Sequence, residues 1–389
     1  MAKSKTLTGQ IDYILLATVV ALLLFGLLVV YSATFREPIR DKAGSQVLWV
    51  VLGTVVALVV YRLPYSLWRV LALPGMLLTL GLLIANLLLG QIVFGARRTL
   101  IRDSVQPGVI ARLVTVVYIA AWLSGRGEHL NKIALGLVPF SAILGVVSVF
   151  VIVQPDLSTA LLIILTGLAM FFFAGGDPAH IGLAILIGAP FGVLAALLIA
   201  PERLNEFVVG WQNPELMDDH LALALNAIGS GGLIGSGFGT GPIKYGHLPA
   251  VHTDSVFAVV CEELGLLGAL IVLGLYVVFA YRGYRTALET PDPFGSLIAF
   301  GATTMIVFEA LLNMLVITGL VPFTGTALPF FTYGGTEMLM TMGGVGLILV
   351  VSGGHRKGET YENMVRGWRD WRARLSSSRR RAGAADRRA

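Results

Sequence analysis

Long apolar runs separated by short polar interruptions make up nearly all of the chain, and each run has the length of a membrane span. Ten of them, about twenty residues each, are centred near Ala21, Val55, Leu80, Val116, Leu144, Thr166, Leu186, Val272, Ile306 and Gly346. A run of that length crosses a hydrocarbon core of about 30 Å. The pattern therefore predicts an all-α polytopic membrane protein with about ten transmembrane helices. Prolines and glycines punctuate it. Span five ends in Gln154-Pro155-Asp156, where the proline breaks the helix and Asp156 is placed to cap span six. Asp12 is similarly placed at the start of span one. Before span ten, Thr318–Leu339 is rich in Pro, Gly and Thr and reads as a hairpin. Irregular backbone near membrane depth is tolerated only where it lines a cavity or is buried in protein. The longest interruption, residues 201–254, predicts one large extracytoplasmic loop.

Composition agrees with the pattern. Charged residues make up 13% of the chain and the mean hydropathy is +0.81, against about a quarter charged in soluble domains. The first span lacks a small-residue cleavage site and reads as retained in the chain. Lys and Arg favour cytoplasmic loops. With the N-terminus inside, Lys3, Lys5, Arg62, Arg69, Arg126, Lys132, Arg282, Arg285 and eleven tail residues from Arg356 onward all fall inside, 19 of the 28 basic residues. Ten spans then return the C-terminus to the cytoplasm. Residues 1–355 form one transmembrane domain, and 356–389 a basic, polar tail expected to be disordered. The tail's expected partner is anionic lipid rather than nucleic acid.

The chemistry-bearing residues gather in a few places. Residues 95–107 read as an outer loop that holds Arg97, Arg98 and Arg102 against the topological bias. A solvated surface explains scattered charges, but a guanidinium cluster also suits phosphate. Arg112 lies within span four, where an unpaired charge is costly, so it should meet a carboxylate; Asp156 and Glu309 are both candidates. Glu309 and Asn313 of span nine must likewise face protein. The stretch 229–268 carries seven glycines from Gly229 to Gly241, followed by Lys244, His252, Asp254 and the pair Glu262 and Glu263. Glycines allow tight turns and close approach to a ligand. Asp254, at the mouth of span eight, is either a helix cap or a reactive group. Cys261 is the single cysteine, which excludes an intramolecular disulfide and most thiol metal sites. No Walker loop, HExxH or GxSxG elbow is present, so nothing supports ATP hydrolysis, zinc proteolysis or serine hydrolysis.

Four stretches together resemble the SEDS family (shape, elongation, division and sporulation proteins), most closely its RodA branch. They are GARR…QP (95–107), QPDLSTA (154–160), AIGSGGLIGSG…LPAVHTD…EELG (227–265) and LPFFTYGGT (328–336). The resemblance implies a peptidoglycan glycosyltransferase that polymerises lipid II on the outer face of the cytoplasmic membrane during cell-wall elongation. It also implies a class B penicillin-binding protein as partner, and it places the family's essential loop aspartate on Asp254. The same motifs nominate Arg97, Arg98, Asp156, Lys244, His252, Thr253 and Thr332 for substrate binding. Gln106, Arg112, Glu262, Glu263 and Glu309 are nominated as cavity or structural residues. The chain departs from the family at QPSExxK, which here reads QPGVIAR: the acid is Val109 and the lysine is Arg112.

The implied reaction expels a diphosphate, already a stable anion, so one base plus cations suffices where glycoside hydrolysis commonly uses two carboxylates. Asp254 takes the role of base, and Arg97, Arg98 and Lys244 hold the diphosphate. A divalent cation could share that work, although no ligand spacing demands one. A flippase for a lipid-linked precursor is the alternative, since ten spans and broken helices fit it too; alternating access, however, needs polar residues in both halves of the membrane. A third reading, a membrane anchor for the partner enzyme, leaves the outer arginines and the glycine-rich loop unexplained.

Overall fold

The computed structural model describes residues 12–34, 42–93, 96–99, 105–199, 201, 205, 208–209, 219–242, 253–322 and 325–353. Its elements in chain order are α1 (Tyr13–Thr34), α2 (Lys42–Arg62), α3 (Tyr65–Leu89), β1 (Gln91–Val93), β2 (Ala96–Thr99), α4 (Pro107–Ser124), α5 (Val138–Ile152), α6 (Leu157–Phe173), α7 (Pro178–Ile199), α8 (Asp219–Gly231), α9 (Val256–Glu289), α10 (Pro293–Ile317) and α11 (Gly335–Ser352). Among the described residues, eight helical segments are long and apolar enough to cross a membrane. With the shorter α4 and α6 they account for the ten expected spans, and the chain is a polytopic helical membrane protein.

Acids and prolines mark the helix boundaries, Asp12 among them as expected. Asp12 accepts from the backbone N–H of Ile14 and Leu15 at the start of α1 and is bridged at 2.6 Å by Arg282 of α9. Pro107 opens α4, Pro293 opens α10, and Asp292 caps α10 by accepting from Gly295 at 2.8 Å. α2 lies along α11, α3 along α4 and α9 along α10, while α10 also meets α4 and α6. α10 and α11 are the most enclosed of the spanning helices. α7 is the least: within it only His180 is buried.

Two elements depart from the sequence reading. Within residues 95–107, expected as loop, Ala96–Thr99 form β2, which pairs antiparallel with β1, Ile92 opposite Arg97. The long loop also contains α8, whose buried Leu221, Ala224 and Ala227 recur at helical spacing and pack it against α9.

α9 is broken at Gly265, where the backbone turns to φ 64°, ψ −161°. The break strands backbone groups, and the glycine-rich segment after α8 satisfies them. Ser236 and Gly237 donate to the carbonyls of Glu262 and Glu263, while the N–H groups of Leu266 and Leu267 donate to Gly232 and Leu233. A Cβ on Gly235 would lie 2.1 Å from the Glu263 carbonyl oxygen, and one on Gly231 1.9 Å from that of Cys261. These two glycines approach helix backbone, not the ligand expected of them. Unpaired backbone groups at membrane depth cost several kcal/mol each, so this docking is what makes the break tolerable.

The 325–334 segment is held deep in the protein. Phe330 is buried at φ 71°, a conformation bulky residues rarely adopt. α1 accommodates it with Gly26, where a Cβ would come within 2.3 Å of the Phe330 carbonyl oxygen. Tyr276 of α9 donates to the carbonyl of the preceding Pro329.

Candidate functional site

Four helices, α4, α6, α9 and α11, begin around one cavity of about 220 Å³. Gln106 and Gly108 bring in the start of α4, and Asp156, Ser158 and Thr159 that of α6. Thr253 and Asp254 precede α9; Tyr333 and Gly334 precede α11. Helix N-termini carry unsatisfied N–H groups and the positive end of the macrodipole, and four of them around one space favour an anion.

Arg112 also lines this cavity. It lies six residues into α4, roughly 9 Å along the helix from Gln106, and is 5% exposed. Its guanidinium is bonded to Glu309 of α10, and to both carboxylate oxygens of Glu337 of α11 at 2.6 and 2.7 Å. Of the two partners the sequence left open, Glu309 is the one used. Asp156 has another task, since its Oδ1 accepts from the Thr159 N–H at 3.2 Å and the Ser158 hydroxyl at 3.0 Å, capping α6. Glu337 went unrecognised in the sequence. It stands in the first turn of α11, where an acid reads as a complement to the helix dipole. The available signal was simply that it is an acid within a span, directly after the TYGGT motif.

Asp254 lies in the turn 253–255 ahead of α9 and is partly exposed to the cavity. The N-cap position falls to Ser255, whose carbonyl accepts from Ala258 and Val259. Asp254 therefore stands one residue outside the cap. The carbonyls of this turn are gripped from elsewhere: Asn313 Nδ2 donates to that of Asp254 at 3.0 Å, and Thr332 Oγ1 to that of Thr253 at 3.2 Å. The Thr332 hydroxyl also accepts from the Leu328 N–H at 2.7 Å.

Of the remaining residues nominated from sequence, Gln106 lines the cavity and its N–H reaches Thr336 Oγ1 at 3.4 Å. Glu262 and Glu263 are buried beside the break in α9 and do not line this cavity. The Ser32 hydroxyl lies 2.6 and 2.8 Å from the two Glu263 carboxylate oxygens, and Gly241 packs against the Glu262 carboxylate. Arg97 and Arg98 lie on β2, with side chains outside the described residues; Lys244 and His252 are outside them altogether. Gln154 joins the cavity wall, locked by Asn86 at 2.6 Å and the Leu83 carbonyl at 2.9 Å. Among the described residues no group of three or more His, Cys, Asp or Glu is placed to hold a metal ion.

Comparison with known proteins agrees with this architecture. The FtsW/RodA/SpoVE family profile, described as a cell cycle protein, matches residues 13–357. The probable peptidoglycan glycosyltransferase FtsW of Trichlorobacter lovleyi is 32% identical over 358 residues, covering 89% of this chain and 94% of that protein. Stage V sporulation protein E of Bacillus subtilis is 32% identical over 354 residues, covering 88% and 96%. Among solved structures, a chain of a peptidoglycan synthase complex that coordinates polymerization and crosslinking superposes with a TM-score of 0.74 at 26% identity, covering 88% of this chain and 97% of that one. The Rod shape determining protein RodA of Thermus thermophilus gives 0.67 at 28% identity, covering 88% and 96%. With the motifs, the ten spans and the profile match in agreement, the chain belongs to the FtsW/RodA/SpoVE family, the SEDS proteins.

Proposed function

We propose that this protein is a peptidoglycan glycosyltransferase that polymerises lipid II on the outer face of the cytoplasmic membrane. One observation carries the reading: Asp254 lines the same cavity as the starts of four helices. A carboxylate able to take a proton thus faces a space ringed by helix N-termini; acids outnumber Arg112 on its described wall, so the diphosphate's charge falls chiefly to Arg97, Arg98 and Lys244. In the reaction, a sugar hydroxyl of one lipid-linked disaccharide attacks the anomeric carbon of another. The new C–O bond forms as the bond to the diphosphate breaks; the proton passes to Asp254 and the polyprenyl diphosphate leaves. Arg97, Arg98 and Lys244 neutralise the departing charge, together with the helix N-termini. His252, Thr253 and Asp156 complete the substrate-facing set.

Membership in the family and relatives named as glycosyltransferases support this reading. The elongation role follows the motif resemblance to the RodA branch. With both termini cytoplasmic, the even-numbered spans begin on the outer side, which puts the cavity there. The flippase alternative calls for a polar pathway through both halves; the cavity-lining residues gather toward one end instead, and the Asp12–Arg282 pair at the other end is a contact between helix ends.

The partner in this reading is a class B penicillin-binding protein, whose single transmembrane helix packs on the outward face of α9. Gly274 opens onto free space between exposed Leu270, Ile271 and Val277 and allows close helix approach. Gly265, on the same helix, offers no such space, being filled by the chain's own Leu233–Gly235 segment. The test of function is polymerisation of labelled lipid II by purified protein, with and without the partner. Glycan strands that form with an inactivated transpeptidase domain support the assignment. Translocation of lipid II across vesicles without polymer, in either condition, would assign the alternative.

A further inference from the structure

Asn313 lies on α10 one turn beyond Glu309, at 1% exposure. Its amide nitrogen donates twice, to the Asp254 carbonyl at 3.0 Å and to the Thr326 carbonyl at 2.6 Å. The two acceptors lie in separate segments, the turn that opens α9 and the stretch leading into α11, and both segments line the cavity. The hydrogen-bond ladder of α9 begins at the Ser255 carbonyl, so the carbonyls of Thr253 and Asp254 lie ahead of it. Each is instead taken by a side chain from another segment, Thr332 for residue 253 and Asn313 for residue 254. A primary amide suits this task because one planar nitrogen carries two donors. Leucine or aspartate of similar size cannot supply both, and the buried carbonyls would lose their partner.

We propose that Asn313 is a positioning residue for the transfer reaction. It fixes the backbone from which the Asp254 carboxylate projects and sets that carboxylate against the 325–334 wall of the cavity. The inference rests on Asp254 acting as the base. It differs from a stabilising role in its consequence: a misdirected base slows the chemical step while substrate binding stays as it was. Displacing a catalytic group by about 1 Å can cost on the order of 10²-fold in rate.

The experiment measures kcat and KM for labelled lipid II with the purified protein in complex with its partner. Asn313→Asp, isosteric but without the amide donors, is expected to lower kcat about 10- to 100-fold with KM unchanged. Thr332→Val, which removes the second tie, should lower kcat in the same way but less. In an Asp254→Asn background Asn313→Asp should add no further loss, because groups acting as a unit are not additive. Retained partner binding and a cooperative melt well above the assay temperature exclude unfolding as the cause, the lost hydrogen bonds themselves lowering the melting temperature somewhat. Wild-type kcat in Asn313→Asp, or a full additional loss on top of Asp254→Asn, would overturn the inference. If Asp254→Asn itself turns over at the wild-type rate, the base assignment fails first; if only Asn313→Asp does, this inference fails alone.

Discussion

Arg112 of α4 and Glu337 of α11 are joined by hydrogen bonds of 2.6 and 2.7 Å in the wall of the cavity that Asp254 lines. The position three residues before Arg112, where the family motif carries an acid on the same helix, holds Val109. Here the balancing charge comes from other helices, Glu309 of α10 and Glu337 of α11. The ion cluster therefore ties three helices, α4, α10 and α11, together.

Glu337→Gln leaves Arg112 paired with Glu309 but weakens its charge-assisted hydrogen bonds to residue 337, each worth about 1.5–3 kcal/mol. Glu337→Gln should accordingly lower the melting temperature of the purified protein and weaken its activity. Adding Val109→Glu, which restores an acid one turn from Arg112, should recover part of both losses. A double variant no better than Glu337→Gln would show that the relocated charge is not what Arg112 requires.

The break in α9 gives a second expectation. Gly265 has a conformation essentially confined to glycine, and a Cβ there would lie 2.5 Å from the Gly235 nitrogen. Gly265→Ala should destabilise by about 1–3 kcal/mol from backbone strain, with the steric clash in addition. Thermal melting in detergent reads this directly. Gly274→Ala, facing open space, is the control and should melt as wild type. Equal melting of both variants would contradict the docked-loop account.

Much of this was readable in the sequence because the bilayer imposes rules on it. Span length marked the ten helices, Asp12 and Asp156 announced their caps, and a charge at the depth of Arg112 demanded a carboxylate. What escaped depends on contacts between distant segments. Glu337 read as a first-turn acid, since nothing in the sequence turns it toward α4. The glycines from Gly231 to Gly235 read as a ligand-binding loop because the break in α9 that they repair appears only once Gly265 folds against them. Short β1 and β2 escaped beside stronger helical signals, and α8 was hidden in a polar loop by its short apolar stripe.

Arg97 and Arg98 are expected to act on the substrate's diphosphate. Replacing both with alanine should raise KM for lipid II more than it lowers kcat. Lysine at either position should give a smaller but measurable loss, because bidentate geometry goes with the guanidinium. An unchanged lipid II dependence in the double-alanine protein would remove them from the site.

Orientation is open to chemical labelling. In a Cys261→Ser background, a cysteine at position 213 should react with an impermeant thiol reagent on intact cells, and one at position 377 should be protected. Both positions lie outside the described residues; the expectation comes from the distribution of Lys and Arg. The opposite labelling pattern would turn the cavity toward the cytoplasm and exclude the proposed reaction.

The most direct test of the account is the rate of lipid II polymerisation by the Asp254→Asn protein in complex with its partner. Asparagine keeps the size of the side chain and loses its basicity, and Ser255 still occupies the N-cap of α9. The account predicts a folded, partner-bound protein that binds lipid II and polymerises it on the order of 10²–10⁴-fold more slowly. A folded Asp254→Asn protein that polymerises at the wild-type rate would contradict it.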